Sequence, residues 1–124
     1  MNHYKIIFAG PVGAGKTTAV SAASDIPPIR TDALASDEVR DLKPNTTVAL
    51  DYGAMKLADG STIHLYGTPG QQRFDFMWEI LTEGGIALIL LIDNSRGDPL
   101  KELRFYLGAF SGFIRKTAVA IGVT

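Results

Sequence analysis

Residues 10–17 carry the chemistry that is easiest to identify in this chain. They read GPVGAGKT and match the pattern G-x-x-x-x-G-K-[ST] of a phosphate-binding loop. Glycines let the backbone curl so that successive N–H groups converge on phosphate oxygens. Lys16 adds a positive charge that can reach the β- and γ-phosphates, and the Thr17 hydroxyl can ligate Mg²⁺. The motif therefore predicts a nucleotide phosphate site.

The elements on either side of the motif support this prediction. Residues 4–9 form an apolar run typical of a buried strand, and Lys16 to Ser24 form a stretch that favours a helix. The N-terminus of that helix adds unpaired N–H groups and a dipole that favours anions. A glycine-rich turn kept only for packing is the alternative, but the strand before it and the helix after it favour phosphate binding.

Composition limits the classes of function. The chain has 124 residues, which is enough for one domain with its own core. Lys and Arg number 12 and Asp and Glu 13, so we expect no nucleic-acid partner. The absence of cysteine excludes disulfides and thiolate metal sites, and it fits a cytoplasmic protein. The longest apolar run, residues 86–92, is far shorter than the roughly 20 residues that span a bilayer, so we expect no transmembrane segment.

Strand-like and helix-like stretches alternate along the chain, which predicts an α/β fold with helices on both faces of a sheet. Strands at residues 47–52 and 62–66 flank an Asp59-Gly60 turn and should be antiparallel. The unbroken apolar run at residues 86–92 is typical of a parallel strand in the middle of a sheet. Residues 117–124 resemble a second buried strand.

Helix signals occur in two further places. Asp98 and Pro99 give an N-cap and a first-turn proline, and the apolar residues that follow predict one amphipathic helix from Leu100 to Ile114. Apolar residues between positions 74 and 81 predict a shorter helix that ends at Gly84. Residues 25–44 contain the pair Pro27-Pro28 and several charges and lack a sustained apolar period, which predicts a long mobile loop.

Three features occur in a fixed order: the phosphate-binding motif, Thr47 after the 25–44 segment, and residues 67–74, which read GTPGQQRF. Together they resemble the Ras-like small GTPases, which share the three-layer P-loop NTPase fold, and in particular the prokaryotic group similar to the signal-recognition-particle receptor β subunit and the gliding-motility GTPases. The resemblance runs over residues 1–124. It implies one GTPase domain that lacks the last strand and helices of the usual fold and is therefore incomplete at its C-terminus.

The resemblance also implies a function. Such proteins bind GTP and GDP with Mg²⁺, hydrolyse GTP to GDP and phosphate, and act as switches that contact an effector or activating protein through their switch loops. The guanine is read by an [NT]-K-x-D motif, of which Thr124 would be the first residue. Guanine specificity is thus implied only by the resemblance.

Roles for individual residues follow from the same resemblance. Thr17 and Thr47 would ligate Mg²⁺, and Thr47 is preferred to Thr46 because residues 47–52 align with the family pattern Thr-x-Gly-x-[DE]-[FY]. The Gly70 N–H would meet the γ-phosphate, and Gln71 would orient the attacking water. The alternatives are an ordinary turn at Pro69-Gly70 and an ordinary surface residue at Gln71. The phosphates would be held by the loop and by catalytic Lys16, through Gly10, Gly13, Ala14, Gly15, Lys16, Thr17 and Thr18.

Two positions depart from the family. Gly67 stands where the family usually has an Asp that helps to hold Mg²⁺ through water, and Val12 stands where many relatives have glycine. We therefore expect slow hydrolysis without an activating partner. Arg40 is a candidate arginine finger within the chain, and a solvated charge is the simpler interpretation.

Two other functions remain open. Asp93 ends an apolar strand, as the metal-binding Asp does in other phosphate-loop proteins, so a P-loop ATPase or small kinase is the main rival. That alternative leaves Thr47 and Gly70-Gln71 unexplained. The third possibility is a scaffold that binds nucleotide without useful hydrolysis.

Overall fold

The computed structural model describes residues 2–34, 47–68, 78, 81–95 and 97–124, with six strands and three helices among them. Side chains of residues 30–34 and 47–50 are not described. In chain order the elements are β1 (His3–Ala9), α1 (Lys16–Ala23), β2 (Ile29–Leu34), β3 (Thr47–Lys56), β4 (Thr62–Gly67), β5 (Ala87–Ile92), α2 (Pro99–Ala109), α3 (Ser111–Ile114) and β6 (Ala118–Val123).

The strands form one sheet in the order β2-β3-β4-β1-β5-β6. β1 pairs in parallel with β4 and β5, and β5 pairs in parallel with β6. β3 runs antiparallel to both of its neighbours, β2 and β4. This confirms the predicted α/β class with one antiparallel strand in a mostly parallel sheet.

The β3–β4 connection is the hairpin that the Asp59-Gly60 pair predicts. Gly60 has a φ of 90°, a conformation that favours glycine. The Asp59 carboxylate accepts a hydrogen bond from the Ser61 N–H at 2.8 Å, and the Leu57 N–H donates to the Ser61 carbonyl at 2.9 Å. The turn is therefore closed by its own residues, which is why the sequence alone could predict it.

Alternate residues of the central strands point to opposite faces of the sheet, and each face has its own core. One core joins β1 and β5 to α2 and consists of Ile7, Ala9, Trp78, Leu88, Leu90, Ile92, Tyr106 and Phe110. The other packs α1 and the phosphate-binding loop on the sheet and consists of Phe8, Ala14, Val20, Leu65 and Leu91. Helices on both faces make the three layers that the sequence predicted.

The predicted helix from Leu100 to Ile114 is only partly correct. Asp98 is the N-cap, and its carboxylate accepts a hydrogen bond from the Lys101 N–H at 3.1 Å. α2 then ends at Ala109, and the short α3 continues after Phe110. Gly108 and Gly112 flank this break, and their low helix propensity favours it.

Two further expectations were wrong. Residues 25–44 are not one loop, because β2 lies within them and pairs with β3 from Ile29 opposite Tyr52 to Leu34 opposite Thr47. β6 is not buried: the exposed fractions of Val119, Ile121 and Val123 are 40%, 48% and 67%. Among the described strands β6 has one neighbour, β5, so its position at the edge decides its exposure.

The predicted short helix between positions 74 and 81 lies largely outside the described residues. Trp78 is helical, only 3% exposed, and stacked on Phe110 with ring centroids 5.2 Å apart. Its role as a core residue is thus confirmed. None of the helices described has the length and apolar character needed to cross a membrane.

Candidate nucleotide site

The phosphate-binding loop leaves the carboxyl end of β1, in the interior of the sheet, and leads into α1. Gly10 has a φ of 146°, and a Cβ on it would lie 2.2 Å from the Leu91 carbonyl oxygen of β5. No larger residue fits there without moving β5. Gly15, with a φ of 100°, is the N-cap of α1. The two glycines thus permit a tight turn pressed against the sheet.

The N-terminus of α1 is well suited to an anion. The glycine cap provides no side-chain acceptor for the first N–H groups of the helix, and the first turn contains no acidic residue. Those N–H groups and the helix dipole therefore favour a negatively charged ligand at this end.

Lys16 is folded back over the loop. Its Nζ donates hydrogen bonds to the carbonyls of Gly10 and Pro11, both at 2.7 Å, and its side chain is buried. Burial lowers the pKa of Lys16 to about 8, and the nearby Asp51 carboxylate opposes part of that shift. The ammonium group is thus still mostly protonated at pH 7 and is held at the loop by two neutral carbonyl acceptors.

Thr17, the next residue, contacts a carboxylate from another strand. Its Oγ1 donates a hydrogen bond to Oδ2 of Asp51 on β3 at 2.7 Å. Asp51 lies opposite Gly67 in the β3–β4 register, and a Cβ at Gly67 would lie 3.2 Å from Asp51 Cβ and 3.3 Å from its Oδ2. A hydroxyl and a carboxylate in contact are the oxygen donors that Mg²⁺ prefers, so the residues present fit this ion.

Asp51 was missed as a functional residue at the sequence level. The signal was present, since counting outward from the Asp59-Gly60 turn places Asp51 opposite Gly67. The sequence did not show that α1 places Thr17 in contact with Asp51, from which it is 34 residues away along the chain.

Thr68 follows β4 directly and lies beside β1, because its N–H donates to the Phe8 carbonyl at 2.9 Å. Its side chain is 3% exposed. Its Oγ1 is buried and finds no hydrogen-bond partner within the part of the chain that the structure describes. A buried hydroxyl of this kind usually has a partner, so it is suited to bind a water or a ligand oxygen.

Thr124, which follows β6, contacts the phosphate-binding loop at Ala14. Its Oγ1 donates to the Ala14 carbonyl at 3.0 Å and lies 3.3 Å from the Ile92 carbonyl oxygen. The Asn94 N–H donates to the Thr124 carbonyl at 2.9 Å. The residue predicted to begin the base-recognition motif therefore lies against the loop.

Asp93 lies in a different setting from Asp51. Its Oδ1 accepts hydrogen bonds from the Ser95 N–H at 2.8 Å and from Ser95 Oγ at 2.5 Å, which closes a local turn. The carboxylate in contact with Thr17 is that of Asp51.

The described residues do not place every predicted site residue at the loop. Gly70, Gln71 and Arg40 lie outside the described residues. Thr47 is the first residue of β3, opposite Leu34, and its side chain is not described. Within the described ranges no three or more His, Asp or Glu side chains form a group that could hold a metal ion.

Comparisons with known proteins place the chain among relatives. No family model matches it. The uncharacterized protein MJ1339 of Methanocaldococcus jannaschii is 32% identical over 121 residues, which are 93% of this chain and 71% of that protein. The crystal structure of the G domain of the T. maritima FeoB iron transporter aligns with a TM-score of 0.65 and 21% identity, over 97% of this chain and 72% of that one. At this identity the likeness shows the fold, which is that of a G domain.

Proposed function

The chain belongs to the family of the uncharacterized protein MJ1339, and we propose that it is a GTPase that binds GTP and GDP with Mg²⁺ and acts as a nucleotide-dependent switch. The arrangement of the loop carries the proposal: Lys16 and Thr17 stand at the start of α1, where a nucleotide phosphate would lie. The fold of a G domain supports guanine as the base. The assignment to the group similar to the signal-recognition-particle receptor β subunit has no support from these relatives and stays a prediction.

Each part of the loop has a role in this function. The N–H groups of Gly13 to Thr18 would hold the phosphate oxygens, and Lys16 Nζ would leave the Gly10 and Pro11 carbonyls for the β- and γ-phosphates. A bound Mg²⁺ would neutralise the charge that develops on the β- and γ-oxygens. Thr17, predicted together with Thr47 as its ligand, would present a hydroxyl to it.

Hydrolysis would depend on residues after β4. Gly70 and Gln71 are proposed to contact the γ-phosphate and to orient the attacking water, and they follow Thr68, which lies beside the loop-bearing strand. Val12 is 53% exposed in the loop, and its side chain would crowd the space that an arginine from an activating protein would use. We therefore expect slow hydrolysis by the chain alone and faster hydrolysis with a protein bound at the switch loops.

The start of a base-recognition segment has a place beside the loop. The Thr124 hydroxyl reaches the Ala14 carbonyl, so a base-recognition segment that begins at Thr124 would start beside the phosphates. The compartment is proposed to be cytoplasmic from the absence of cysteine, and the near balance of charges argues against nucleic acid as a partner.

The test is equilibrium binding of fluorescent GDP, GTP and ATP, with Mg²⁺ and with a chelator. We expect a preference for the guanine nucleotides and, in Lys16→Ala, a loss of affinity of roughly 100-fold or more, because a charge-assisted contact worth about 3 kcal/mol is removed. Lys5→Ala is the matched control, since Lys5 Nζ contacts the Glu83 carbonyl at the other end of β1.

Three results would contradict the proposal. A preference for ATP would indicate an ATPase or kinase, and no binding of any nucleotide would remove the nucleotide function altogether. Tight GTP binding with no phosphate release, alone or with a cell extract, would leave a nucleotide-binding scaffold. Gln71→Ala tests hydrolysis separately, because it should reduce phosphate release while GDP affinity is unchanged.

A further inference from the structure

Two histidines that are 61 positions apart along the chain meet on one face of the sheet. His3 begins β1, and His64 lies on the parallel neighbour β4, where its register partner is Lys5. His3 Nδ1 lies 2.9 Å from His64 Nε2, and the two ring planes differ by 20°. The pair lies near the amino end of β1, whereas the phosphate-binding loop leaves its carboxyl end. It therefore belongs to a different region from the nucleotide site.

The separation of the two nitrogens is close to that of two ligands of one metal ion. Imidazole nitrogens bind Zn²⁺ at about 2.0–2.1 Å, so two of them around one ion lie roughly 3 Å apart. Without an ion, the distance of 2.9 Å is that of a hydrogen bond, for which one of the two nitrogens carries a proton. A metal ion would replace that proton, and His3 can turn toward it because its side chain is exposed.

Tyr52 orients the second histidine from β3. Its Oη lies 2.6 Å from His64 Nδ1. A phenol oxygen can accept a hydrogen bond as well as donate one, so His64 can donate from Nδ1 to Tyr52 and keep the lone pair of Nε2 for an ion. Histidines that bind metals usually have such a partner on their other nitrogen, which fixes the tautomer and the ring orientation.

The charges around the pair favour neutral His64. Burial lowers the pKa of His64, and the charges of His3 and Lys56 lower it further, so its ring is neutral at pH 7. Neutral imidazole is the form that binds metal ions. The positive charge of Lys56 opposes a cation, so we expect a weaker site than one with acidic ligands.

We propose that His3 and His64 form a binding site for a divalent late transition metal ion, with Tyr52 as the residue that positions His64. Imidazole suits Zn²⁺, Ni²⁺ and Cu²⁺, and Cu²⁺ should bind most tightly of the three. A bound ion would join β1 to β4 and stabilise the folded chain, because the two histidines are brought together only by folding. This site does not depend on the proposed nucleotide function.

The test measures Cu²⁺ binding and the melting temperature of the chain without nucleotide. One equivalent of Cu²⁺ should give an electron paramagnetic resonance spectrum with coupling to two imidazole nitrogens. Cu²⁺ and Zn²⁺ should raise the melting temperature, whereas Mg²⁺ should not, because it prefers oxygen ligands. His3→Gln and His64→Gln should each lose the two-nitrogen spectrum and the rise in melting temperature.

Two tyrosine variants separate positioning from a general effect of the substitution. Tyr52→Phe should weaken Cu²⁺ binding roughly 10-fold, because it removes the partner of His64 Nδ1. Tyr4→Phe is the matched control, since Tyr4 follows His3 on β1 and points to the opposite face of the sheet. It should bind Cu²⁺ as the parent does. Equal affinities in Tyr52→Phe and the parent would overturn the role of Tyr52.

Circular dichroism establishes which variants are folded. His3 is exposed, so His3→Gln should keep the fold even if His64→Gln does not. Unchanged Cu²⁺ affinity in folded His3→Gln would overturn the proposal, as would a parent spectrum without coupling to two nitrogens. Binding of GDP or GTP in a chelator is expected to be the same in His3→Gln and the parent, so the two functions can fail separately.

Discussion

β5 and β6 lie side by side, are both apolar and have the same length, but they have opposite environments. Leu90 of β5 is completely buried, whereas its register partner on β6, Ile121, is 48% exposed. β5 has a strand on each side, and its two faces belong to the two cores. β6 has β5 on one side only among the described strands. Apolar composition therefore predicts that a segment is a strand, and the neighbouring strands and helices decide how far its side chains are buried.

The largest expected effect tests how tightly the phosphate-binding loop is packed on β5. Gly10→Ala would place a Cβ 2.2 Å from the Leu91 carbonyl oxygen at a φ that disfavours alanine. We expect a loss of roughly 3 to 5 kcal/mol in the free energy of unfolding, measured by urea titration, and a loss of nucleotide binding. Gly108→Ala is the control, because a Cβ there meets nothing within 4 Å. Equal stabilities for the two variants would show that the loop does not press on β5.

A matched pair of truncations tests the comparison itself. Leu90→Ala should lower the free energy of unfolding by about 2 to 5 kcal/mol, since a fully buried side chain leaves a cavity. Ile121→Ala, across the same ladder, should cost about 1 kcal/mol or less because Ile121 is half exposed. Urea titration of both variants measures the difference. Equal losses would mean that β6 is covered in solution.

The smallest effect concerns a cluster around His64 of β4, where Tyr52 Oη of β3 lies 2.6 Å from His64 Nδ1 and His3 Nδ1 of β1 lies 2.9 Å from His64 Nε2. Neutral His64 satisfies both contacts by accepting from Tyr52 and donating to His3. Burial lowers the pKa of His64, and the charges of His3 and Lys56 lower it further. The unfolded chain thus binds a proton near pH 6.5 that the folded chain binds only at lower pH.

We therefore expect the melting temperature to fall as the pH drops from 7 through 6.5 and to level off below the pKa of folded His64. His64→Gln should flatten this part of the curve. His3→Gln removes a like charge but not the burial, which is the larger cause, so most of the dependence should remain. A parent-like slope in His64→Gln would assign the effect to another group.

Features could be predicted from the sequence when the residues that form them lie close together along the chain. The phosphate-binding loop, the Asp59-Gly60 hairpin and the Asp98 cap were identified because each is closed by residues a few positions apart. β2 was missed because the prolines at 27 and 28 and the charges that follow them do not form a strand pattern. Its extended conformation depends on pairing with β3. Tyr106, 1% exposed, was likewise not picked out on α2, whereas Leu100, included in the predicted apolar face, is 62% exposed.

The amino-acid sequence alone determined the loop, its glycines, Lys16 and Thr17, since backbone conformation and helix capping are local properties. It also determined that the fold is α/β, through the order of its apolar runs. The tertiary structure decided which distant groups join the loop: Asp51 reaches Thr17 across 34 positions, and Thr124 reaches Ala14 across 110. Such contacts depend on strand order and register, which arise only when the whole sheet is assembled.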